Sequence, residues 1–344
     1  MNRLVLLPVI VVLVLFGGSV IWARAYLDRP LNLPADTVVL DIVKGSSLKA
    51  VARQLADDGV LQYPRAFELF GRLSRKAERI QAGEYELTTG VTPASLLDQL
   101  VNGRVKLHAL TVVEGWTVSD LLAAIVRHTA IRHTLDIDTA TELVDVLELD
   151  YAHPEGLFFP ETYWFARGTT DKELLLRAYD LMQDRLAEAW ANRQVRQTGL
   201  KSPYEALIMA SIVERESALD SERREVAGVF VRRLEKGMRL QTDPTVIYGI
   251  GPSFDGNLTR RHLAEDTPYN TYMRKGLPPT PIALPSQSAL SAAVSPLPGD
   301  SLYFVATGRE DGSHYFTATL EEHNEAVRRY LAYLRQARRK ERKE

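Results

Sequence analysis

The sequence predicts an α+β fold of two folded parts that follow a single N-terminal membrane-spanning helix. Three features of the 344-residue chain lead to this prediction. An uncharged segment of membrane-spanning length lies near the N-terminus, three short strand–turn–helix units follow it, and long amphipathic helices begin near Thr169. A chain of this length can form two domains, each with a buried apolar core.

The segment Leu4–Ala23 is the core of the predicted membrane helix, which we place at residues 4–24. Its 20 residues carry no charge, and one helix of that length crosses a bilayer. A cleaved signal peptide is the alternative, because Ala23-Arg24-Ala25 has the small-x-small form of a cleavage site. The apolar run exceeds the roughly 7–15 residues usual in signal peptides. We therefore predict an uncleaved anchor, a stub at residues 1–3 and a tether at residues 25–37.

The three strand–turn–helix units share one local pattern. In each, an apolar strand precedes a glycine, any residue and a Ser or Thr, and a helical run follows. Glycine permits the sharp turn, and Ser or Thr caps the helix by accepting a backbone N–H bond. The pattern predicts small α+β modules, and any α/β scaffold reuses it. The three turns are Gly45-Ser46-Ser47, Gly90-Val91-Thr92 and Gly115-Trp116-Thr117.

The first of these units also resembles a LysM-type carbohydrate-binding module. Its sequence VVLDIVKGSSLKAVARQL, which begins at Val38, has the strand, glycine turn and helix with which such modules start. From this resemblance we predict a LysM-like peptidoglycan-binding domain over residues 38–110. The alternative is a plain scaffold unit.

The composition excludes several classes of function. The net charge of −2 conceals a basic C-terminal end, since residues 328–344 contain 8 Lys or Arg and 2 Asp or Glu. We interpret residues 335–344 as a solvated basic tail, and the acidic remainder argues against nucleic-acid binding. The absence of cysteine excludes cysteine catalysis and thiolate metal sites and fits a non-cytosolic protein. The histidine spacing and the lack of a phosphate-binding glycine loop predict no metal and no cofactor.

Two glutamates lie in the stretch SIVERES, Ser211–Ser217, which continues an apolar helix that Ser202 is expected to cap. A carboxylate in an apolar wall costs several kcal/mol unless it is paired or protonated. The helix neighbours of Glu216 are large and apolar, whereas those of Glu214 are mostly small. We therefore predict that burial raises the pKa of Glu216, which suits a group that protonates a glycosidic oxygen. Alternatively, one or both glutamates form ion pairs with Arg215, Arg223 or Arg224.

The run Ala210–Gly251 resembles the YceG-like family of bacterial endolytic murein transglycosylases. Further matching segments are AGEYEL from Ala82, VVEGWTVSDLL from Val112, PEGLFFPETYWF from Pro154, TPYNTYMRKGLPPTPIALP from Thr267 and LYFVATGREDGSHYF from Leu302. The resemblance implies a catalytic domain at residues 111–334, with a mixed α/β fold and a glutamate-bearing helix in a lysozyme-like cleft. It also implies an inner-membrane protein whose catalytic domain faces the periplasm.

The activity that the resemblance implies is cleavage of the β-1,4 bond between N-acetylmuramic acid and N-acetylglucosamine within peptidoglycan strands. The family's catalytic glutamate precedes Ser or Thr in a Glu-x-Glu-Ser/Thr motif, which corresponds to Glu216 and Ser217 here. One carboxyl suffices, because it acts first as acid and then as base, and the sugar's own C6 hydroxyl attacks C1. The resemblance further suggests that peptidoglycan synthases (penicillin-binding proteins) are partners and that cleavage limits strand length.

The remaining candidate residues have less specific roles. Glu214 and Ser217 are expected to support or orient the site, and Gln241 and Asp243 lie in the run RLQTDPT that contributes to the family's cleft. Asp243 has an alternative role as an N-cap, with Pro244 at the first helical position. A second set could stack on a sugar ring and bind an N-acetyl group, or simply order a loop: Tyr269, Asn270 and Tyr272. Structural roles at turns are expected for Glu114, Glu155 and Glu161.

Three other functions remain alternatives at this point. One is a non-catalytic, membrane-tethered peptidoglycan-binding scaffold, and another is a hydrolytic muramidase that uses Asp243 to activate water. The third is a serine esterase, since Gly299-Asp300-Ser301-Leu302 spells the GDSL motif of such a family. That motif follows Pro-Leu-Pro late in the chain and leads into a predicted strand, so a turn is the better interpretation.

Overall fold

The chain forms helices and short two-stranded sheets, which confirms the predicted α+β class. A computed structural model describes residues 3–194, 199–309 and 311–341, with side chains for residues 10–194, 199–309 and 311–335. The first two residues of the predicted stub and the last three of the predicted basic tail lie outside the described residues. Two compact units are present: residues 1–109 with 164–169, and residues 110–163 with 170–344.

The N-terminal helix α1 spans Arg3–Asp28. Its stretch Ile10–Asp28 has a mean hydropathy of 2.0 and is not buried, so by length and composition the helix could cross a membrane. Beyond it, Leu31 N–H donates to the Val91 carbonyl at 2.8 Å, and Leu31 and Leu33 pack against the apolar core of the first unit. The segment predicted as a tether, residues 25–37, is therefore partly helical and partly packed against that unit.

Strands β1 (Thr37–Ile42) and β2 (Gly83–Thr88) pair in an antiparallel register in the first unit. Helices α2 (Leu48–Asp57) and α3 (Pro64–Leu73) connect them, and α4 (Pro93–Val101) follows. The side chains that these elements bury form one apolar core, whose largest fully buried members are Phe67, Tyr85, Leu55, Leu87, Leu96, Leu97 and Leu100. The order β-α-α-β, with the helices between paired strands, defines this unit.

The three predicted strand–turn–helix units are confirmed. Each turn glycine adopts a left-handed conformation that other residues rarely adopt, with φ of 89° at Gly45, 95° at Gly90 and 77° at Gly115. The following Ser or Thr accepts a backbone N–H bond and caps the helix in every case, as at Ser47, Thr92 and Thr117. The third strand–turn–helix unit consists of β3 (Leu107–Thr111) and α5 (Val118–Arg127).

The chain passes between the two units within β3 and within β4 (Thr162–Ala166), which pair with each other. Short helical turns at Ala140–Glu142, α6 (Leu143–Val146) and Gly251–Ser253 lie in the second unit. Its remaining elements are α7 (Asp171–Ala191), α8 (Pro203–Glu216), α9 (Asp220–Glu235), α10 (Asp243–Ile250), α11 (Arg260–Ala264), α12 (Gln287–Val294), β5 (Tyr303–Ala306), β6 (His314–Thr317) and α13 (Leu320–Glu341).

Helix α8 lies at the centre of the second unit. Its residues from Ala206 to Val213 are all buried, and it packs against α7, α9, α10 and α12. Ser202 caps its start as predicted, whereas Glu205 accepts from the Lys201 N–H at 2.6 Å instead of completing a capping box with Ser202. The helix ends at Glu216. Both glutamates of SIVERES therefore lie in its last turn.

Candidate active site

Glu216 lines two depressions on the surface of the second unit. The larger one, of about 760 Å³, is formed by the end of β3, the turn before α5, the start of β4 and the segment between α8 and α9. The smaller one, of about 340 Å³, is formed by α9, β5, α13 and the segment before α10, and its lining residues include Arg233, Gln241, Asp243, Tyr272 and Tyr303. A chain molecule could therefore extend to both sides of this carboxyl.

The surroundings of Glu216 favour its protonated form near neutral pH. Burial raises the pKa of Glu216 to about 7, and the negative charge of Asp243 acts in the same direction. Three groups oppose this increase, namely the hydroxyl of Thr242, which donates to Glu216 Oε1, and the side chains of His314 and Arg233. With a pKa near 7, the carboxyl can donate a proton and accept one at the same pH.

Glu214 lies in a buried network of hydrogen bonds. Its Oε1 accepts from Arg223 Nη2 at 2.8 Å, and its Oε2 accepts from the Ser286 backbone N–H at 2.9 Å and the Ser286 hydroxyl at 2.5 Å. The side chains of Glu214 and Arg223 are each 5% exposed. The ion-pair alternative is thus confirmed for Glu214. The network joins α8 to α9 and to the start of α12.

Ser217 closes the end of α8. Its backbone N–H donates to the Val213 carbonyl at 3.1 Å, and its hydroxyl oxygen accepts from the Leu219 N–H at 3.2 Å. Ser217 is 1% exposed. These contacts fix the turn between α8 and α9, which favours a structural role over contact with a substrate.

Gln241, Asp243 and Tyr272 line the smaller depression together with Glu216. Asp243 is the first residue of α10, and the N-cap is Thr242, so the interpretation of Asp243 as the N-cap is wrong. The Asp243 carboxylate instead accepts from the Tyr272 hydroxyl at 2.6 Å. The predicted site residues from two distant sequence segments thus meet beside Glu216.

Tyr269 and Asn270 have structural contacts elsewhere in the same loop. The Asn270 amide is buried, donates to the carbonyls of His262, Leu263 and Glu265, and accepts from the Tyr272 N–H. The Tyr269 hydroxyl shares a 2.8 Å hydrogen bond with Thr280. These contacts favour the ordered-loop interpretation for both residues and leave Tyr272 as the member of the set that lines the depression.

Several site residues were missed by the sequence reasoning. Arg233 is 8% exposed, donates to the carbonyls of Leu240 and Leu302 at 2.6 Å each, and has its guanidinium 5.1 Å from the Tyr303 ring centre. His314 pairs with Glu222 at 2.7 Å. Thr242 lies within the run RLQTDPT but was not selected from it. The available signal for Thr242 was its position between Gln241 and Asp243. Arg233 and His314 also lie within segments that resemble the family, namely Ala210–Gly251 and the segment from Leu302.

Three further glutamates differ in their surroundings. Glu114 and Glu161 line the larger depression, and burial, together with the charge of Glu214, raises the pKa of Glu114. Glu155 is 3% exposed and lies outside both depressions that Glu216 lines. Within the described ranges, no group of three or more His, Cys, Asp or Glu side chains could hold a metal ion. Ser301 of the GDSL motif lies in a loop, where its carbonyl accepts from Arg232.

Comparison with known proteins gives consistent matches over most of the chain. The model of the YceG-like family matches residues 40–329. An endolytic murein transglycosylase of Bacillus subtilis (strain 168) is 32% identical over 335 residues, which cover 92% of this chain and 91% of that protein. A longer endolytic murein transglycosylase of Streptococcus pneumoniae (serotype 2, strain D39) is 26% identical, with 92% of this chain and 63% of that protein covered. The crystal structure of a yceG-like protein from Listeria monocytogenes is similar with a TM-score of 0.53 and 30% identity, covering 84% of this chain and 98% of that one.

Proposed function

The chain belongs to the YceG-like family and is an enzyme of the lytic transglycosylase class, and we propose that it cuts peptidoglycan strands internally. The bond cleaved is the β-1,4 bond between N-acetylmuramic acid and N-acetylglucosamine. The new strand ends carry 1,6-anhydro-N-acetylmuramic acid, and cleavage of nascent strands limits their elongation. Glu216 is the catalytic residue.

The observation that carries this proposal is the position of Glu216 between two depressions, with a pKa raised to about 7 by burial. A general acid works best when its pKa lies near the operating pH. Space on both sides of the carboxyl suits a bond inside a strand, because sugars must be accommodated before and after the bond that breaks. Glu214, with both oxygens already bonded to Arg223 and Ser286, is less suited to transfer a proton.

The reaction proceeds with one carboxyl. Protonated Glu216 donates its proton to the glycosidic oxygen, and the bond from C1 of N-acetylmuramic acid to that oxygen breaks. The resulting carboxylate then takes the proton of the C6 hydroxyl of the same sugar, whose oxygen forms a new bond to C1. Glu216 ends protonated, and no water is consumed. The C6 hydroxyl is already part of the reacting sugar, so its attack benefits from proximity.

The smaller depression supplies the proposed substrate contacts. Gln241, Tyr272 and the Asp243 carboxylate line it beside Glu216 and offer hydrogen bonds and an aromatic face to a sugar. Glu214 and Ser217 hold the end of α8 from behind, and Asn270 with Tyr269 orders the loop that presents Tyr272. In this arrangement Glu216 reacts and the other residues orient.

The proposed location is the bacterial inner membrane, with α1 as the anchor and the catalytic unit in the periplasm. The apolar helix and its continuation into the first unit support anchoring. The β-α-α-β order of the first unit supports a LysM-like domain that binds peptidoglycan. Peptidoglycan synthases of the penicillin-binding class are proposed partners on the family resemblance alone.

Digestion of purified peptidoglycan by the full chain in detergent tests the proposal. We expect new ends lighter by one water than reducing N-acetylmuramic acid, identified by mass spectrometry. Glu216→Gln should lower their rate of formation by at least about a hundredfold, the scale of lost general acid catalysis, while Glu188→Gln, a change at an exposed surface glutamate, should leave it unchanged.

Other outcomes point to the alternatives. Reducing ends would indicate a hydrolase and make Asp243→Asn the next variant. Absence of cleavage of both mature peptidoglycan and nascent uncrosslinked strands would contradict the proposal and favour a binding scaffold.

A further inference from the structure

We propose that Thr242 is a positioning residue for this reaction, because its hydroxyl holds one oxygen of the Glu216 carboxyl and leaves the other for the substrate. The inference rests on the proposed function of Glu216. Thr242 Oγ1 donates to Glu216 Oε1. Within the described ranges, this is the one hydrogen bond that the protein makes to that carboxyl.

The position of Thr242 in its own helix is unusual. It is the N-cap of α10, yet its side chain makes no capping hydrogen bond. A Thr at an N-cap ordinarily accepts a backbone N–H bond from the first turn, which stabilises the helix. Other threonines of this chain cap their helices in that way, among them Thr92, Thr117, Thr170 and Thr259. At Thr242 the hydroxyl points to Glu216 instead, so helix stability alone does not account for its orientation.

A buried set of hydroxyls fixes the backbone of Thr242. Its N–H donates to Thr271 Oγ1 at 3.1 Å, its carbonyl accepts from Thr245 Oγ1 at 2.8 Å, and those two hydroxyls lie 2.9 Å apart. The three threonines are 2%, 0% and 3% exposed for Thr242, Thr245 and Thr271. This arrangement fixes the backbone position from which the Thr242 hydroxyl reaches Glu216.

The residue before Thr242 is held in a strained conformation. Gln241 has a φ of 51°, in the left-handed region that residues other than glycine rarely adopt. Its N–H donates to the Thr271 carbonyl at 3.2 Å, so the same threonine anchors both residues. Strain of this kind persists where the surrounding structure fixes it and is common at functional sites.

The hydrogen bond has a consequence for proton transfer. A hydroxyl that donates to a carboxylate stabilises the charged form, so Thr242 holds the pKa of Glu216 below the value that burial alone would produce. The charged and titratable groups that act on Glu216 from neighbouring elements are Asp243, Tyr272, His314 and Arg233. All four remain when Thr242 is replaced. Loss of the hydroxyl should therefore raise the pKa of Glu216.

Thr242→Val, which keeps the shape and removes the hydroxyl, tests the proposal in the full chain. We expect kcat to fall about tenfold to a hundredfold, the scale of a small misplacement of a catalytic group, with KM little changed. The alkaline limb of the kcat/KM profile should move up by about one pH unit, the scale of a hydrogen bond to a charged group, because the acid stays protonated to higher pH. Thr242→Ser keeps the hydroxyl, so its kcat and the position of its alkaline limb should be close to those of the unsubstituted enzyme.

Thr170→Val is the matched control, because it removes a hydroxyl that does cap its helix. It should lower Tm and leave the alkaline limb in place. A Thr242→Val enzyme with an unmoved limb would contradict the proposal and assign Thr242 a merely structural role. If Thr242→Val does not fold, Thr242→Ala gives the same comparison, with its folding checked by circular dichroism. Full activity of either variant without the hydroxyl would overturn the proposal. The products of the unsubstituted enzyme test the proposed function separately, since reducing ends contradict that function whatever the Thr242 variants do.

Discussion

Glu216 and Glu155 are two carboxyls of the second unit whose pKa burial raises to about 7 in each case. Glu155 lies in the packed interior, where Oε1 accepts from the Val118 N–H at 3.0 Å and Oε2 accepts from the Tyr248 hydroxyl at 3.0 Å. Glu216 receives its hydrogen bond on one oxygen and lines both surface depressions. The same electrostatic shift therefore occurs in a group that a substrate could reach and in a group that joins α5 to α10.

The difference between Glu216 and Glu155 shows that a raised pKa identifies a carboxyl as buried but not as reactive. A reactive carboxyl must also be accessible to substrate and have an oxygen that is free of protein hydrogen bonds. Glu214 extends the comparison, because it lies on the same helix turn as Glu216 and is fully bonded to Arg223 and Ser286. Substitution to Gln removes the charge of each glutamate while nearly preserving its shape. The three Gln variants thus separate charge pairing, burial and reactivity.

The largest expected effect on stability is that of Glu214→Gln. Removing this carboxylate leaves the Arg223 guanidinium buried opposite a neutral group, and breaking a buried ion pair in this way typically costs about 3–5 kcal/mol. Asp220, at 3.0 Å from Arg223, offsets part of the loss. We expect a fall in the free energy of unfolding on that scale, measured by denaturant titration at pH 7.

Glu188→Gln serves as the control for that measurement, because its pair with Arg185 is exposed on both sides. Exposed pairs contribute little, so the control should unfold like the unsubstituted protein. A Glu214→Gln variant that keeps its stability but loses cleavage would contradict the structural role and make Glu214 the candidate acid.

Glu155→Gln should change how stability depends on pH while preserving cleavage. The pKa of Glu155 rises from 4.5 to about 7 on folding, so its contribution to stability is complete below pH 4.5, is lost as the pH rises through 7, and is absent above. The difference corresponds to about 3 kcal/mol. A glutamine resembles the protonated carboxyl and does not titrate. The variant should therefore gain stability relative to the unsubstituted protein between pH 5 and pH 8, measured as the difference in Tm at each pH.

Glu216→Gln provides the counterpart, since its own raised pKa predicts a similar change in the pH dependence of Tm together with loss of cleavage. The comparison fails if Glu155→Gln also abolishes cleavage in a folded protein. In that case the buried carboxyl would participate in the reaction, directly or through α10.

Local features of the fold were predictable from the sequence because their causes lie within a few residues. The caps at Ser47, Thr92 and Thr117 follow from hydrogen bonds over three residues. The long-range contacts left no such signal. Glu214 meets Ser286 across 72 residues, and His314 meets Glu222 across 92.

The choice of Glu216 over Glu214 illustrates the limit. The residue types along α8 predict a more apolar side at Glu216 than at Glu214, whereas the residues from Ala206 to Val213 are all buried. What separates the two glutamates is their partners, and those come from α9, α12 and the segment before α10. The sequence was sufficient to predict a raised pKa for Glu216, but Thr242 could not be identified as its partner without the fold.

The smallest expected effect is that of Ser217→Ala. At this position the family motif suggests a contact with substrate, whereas the local hydrogen bonds indicate a structural role. The family motif places a hydroxyl residue directly after Glu216, which suggested a contact with substrate or water. The hydroxyl instead accepts from the Leu219 N–H, and Ser217 is buried, with 1% of its surface exposed. Loss of one such bond costs about 1 kcal/mol, so we expect a small decrease in the free energy of unfolding and a cleavage rate close to that of the unsubstituted enzyme. A large loss of kcat at unchanged stability would return Ser217 to the reacting group, and the Ser217→Thr variant, which keeps a hydroxyl at this position, would then be expected to retain activity.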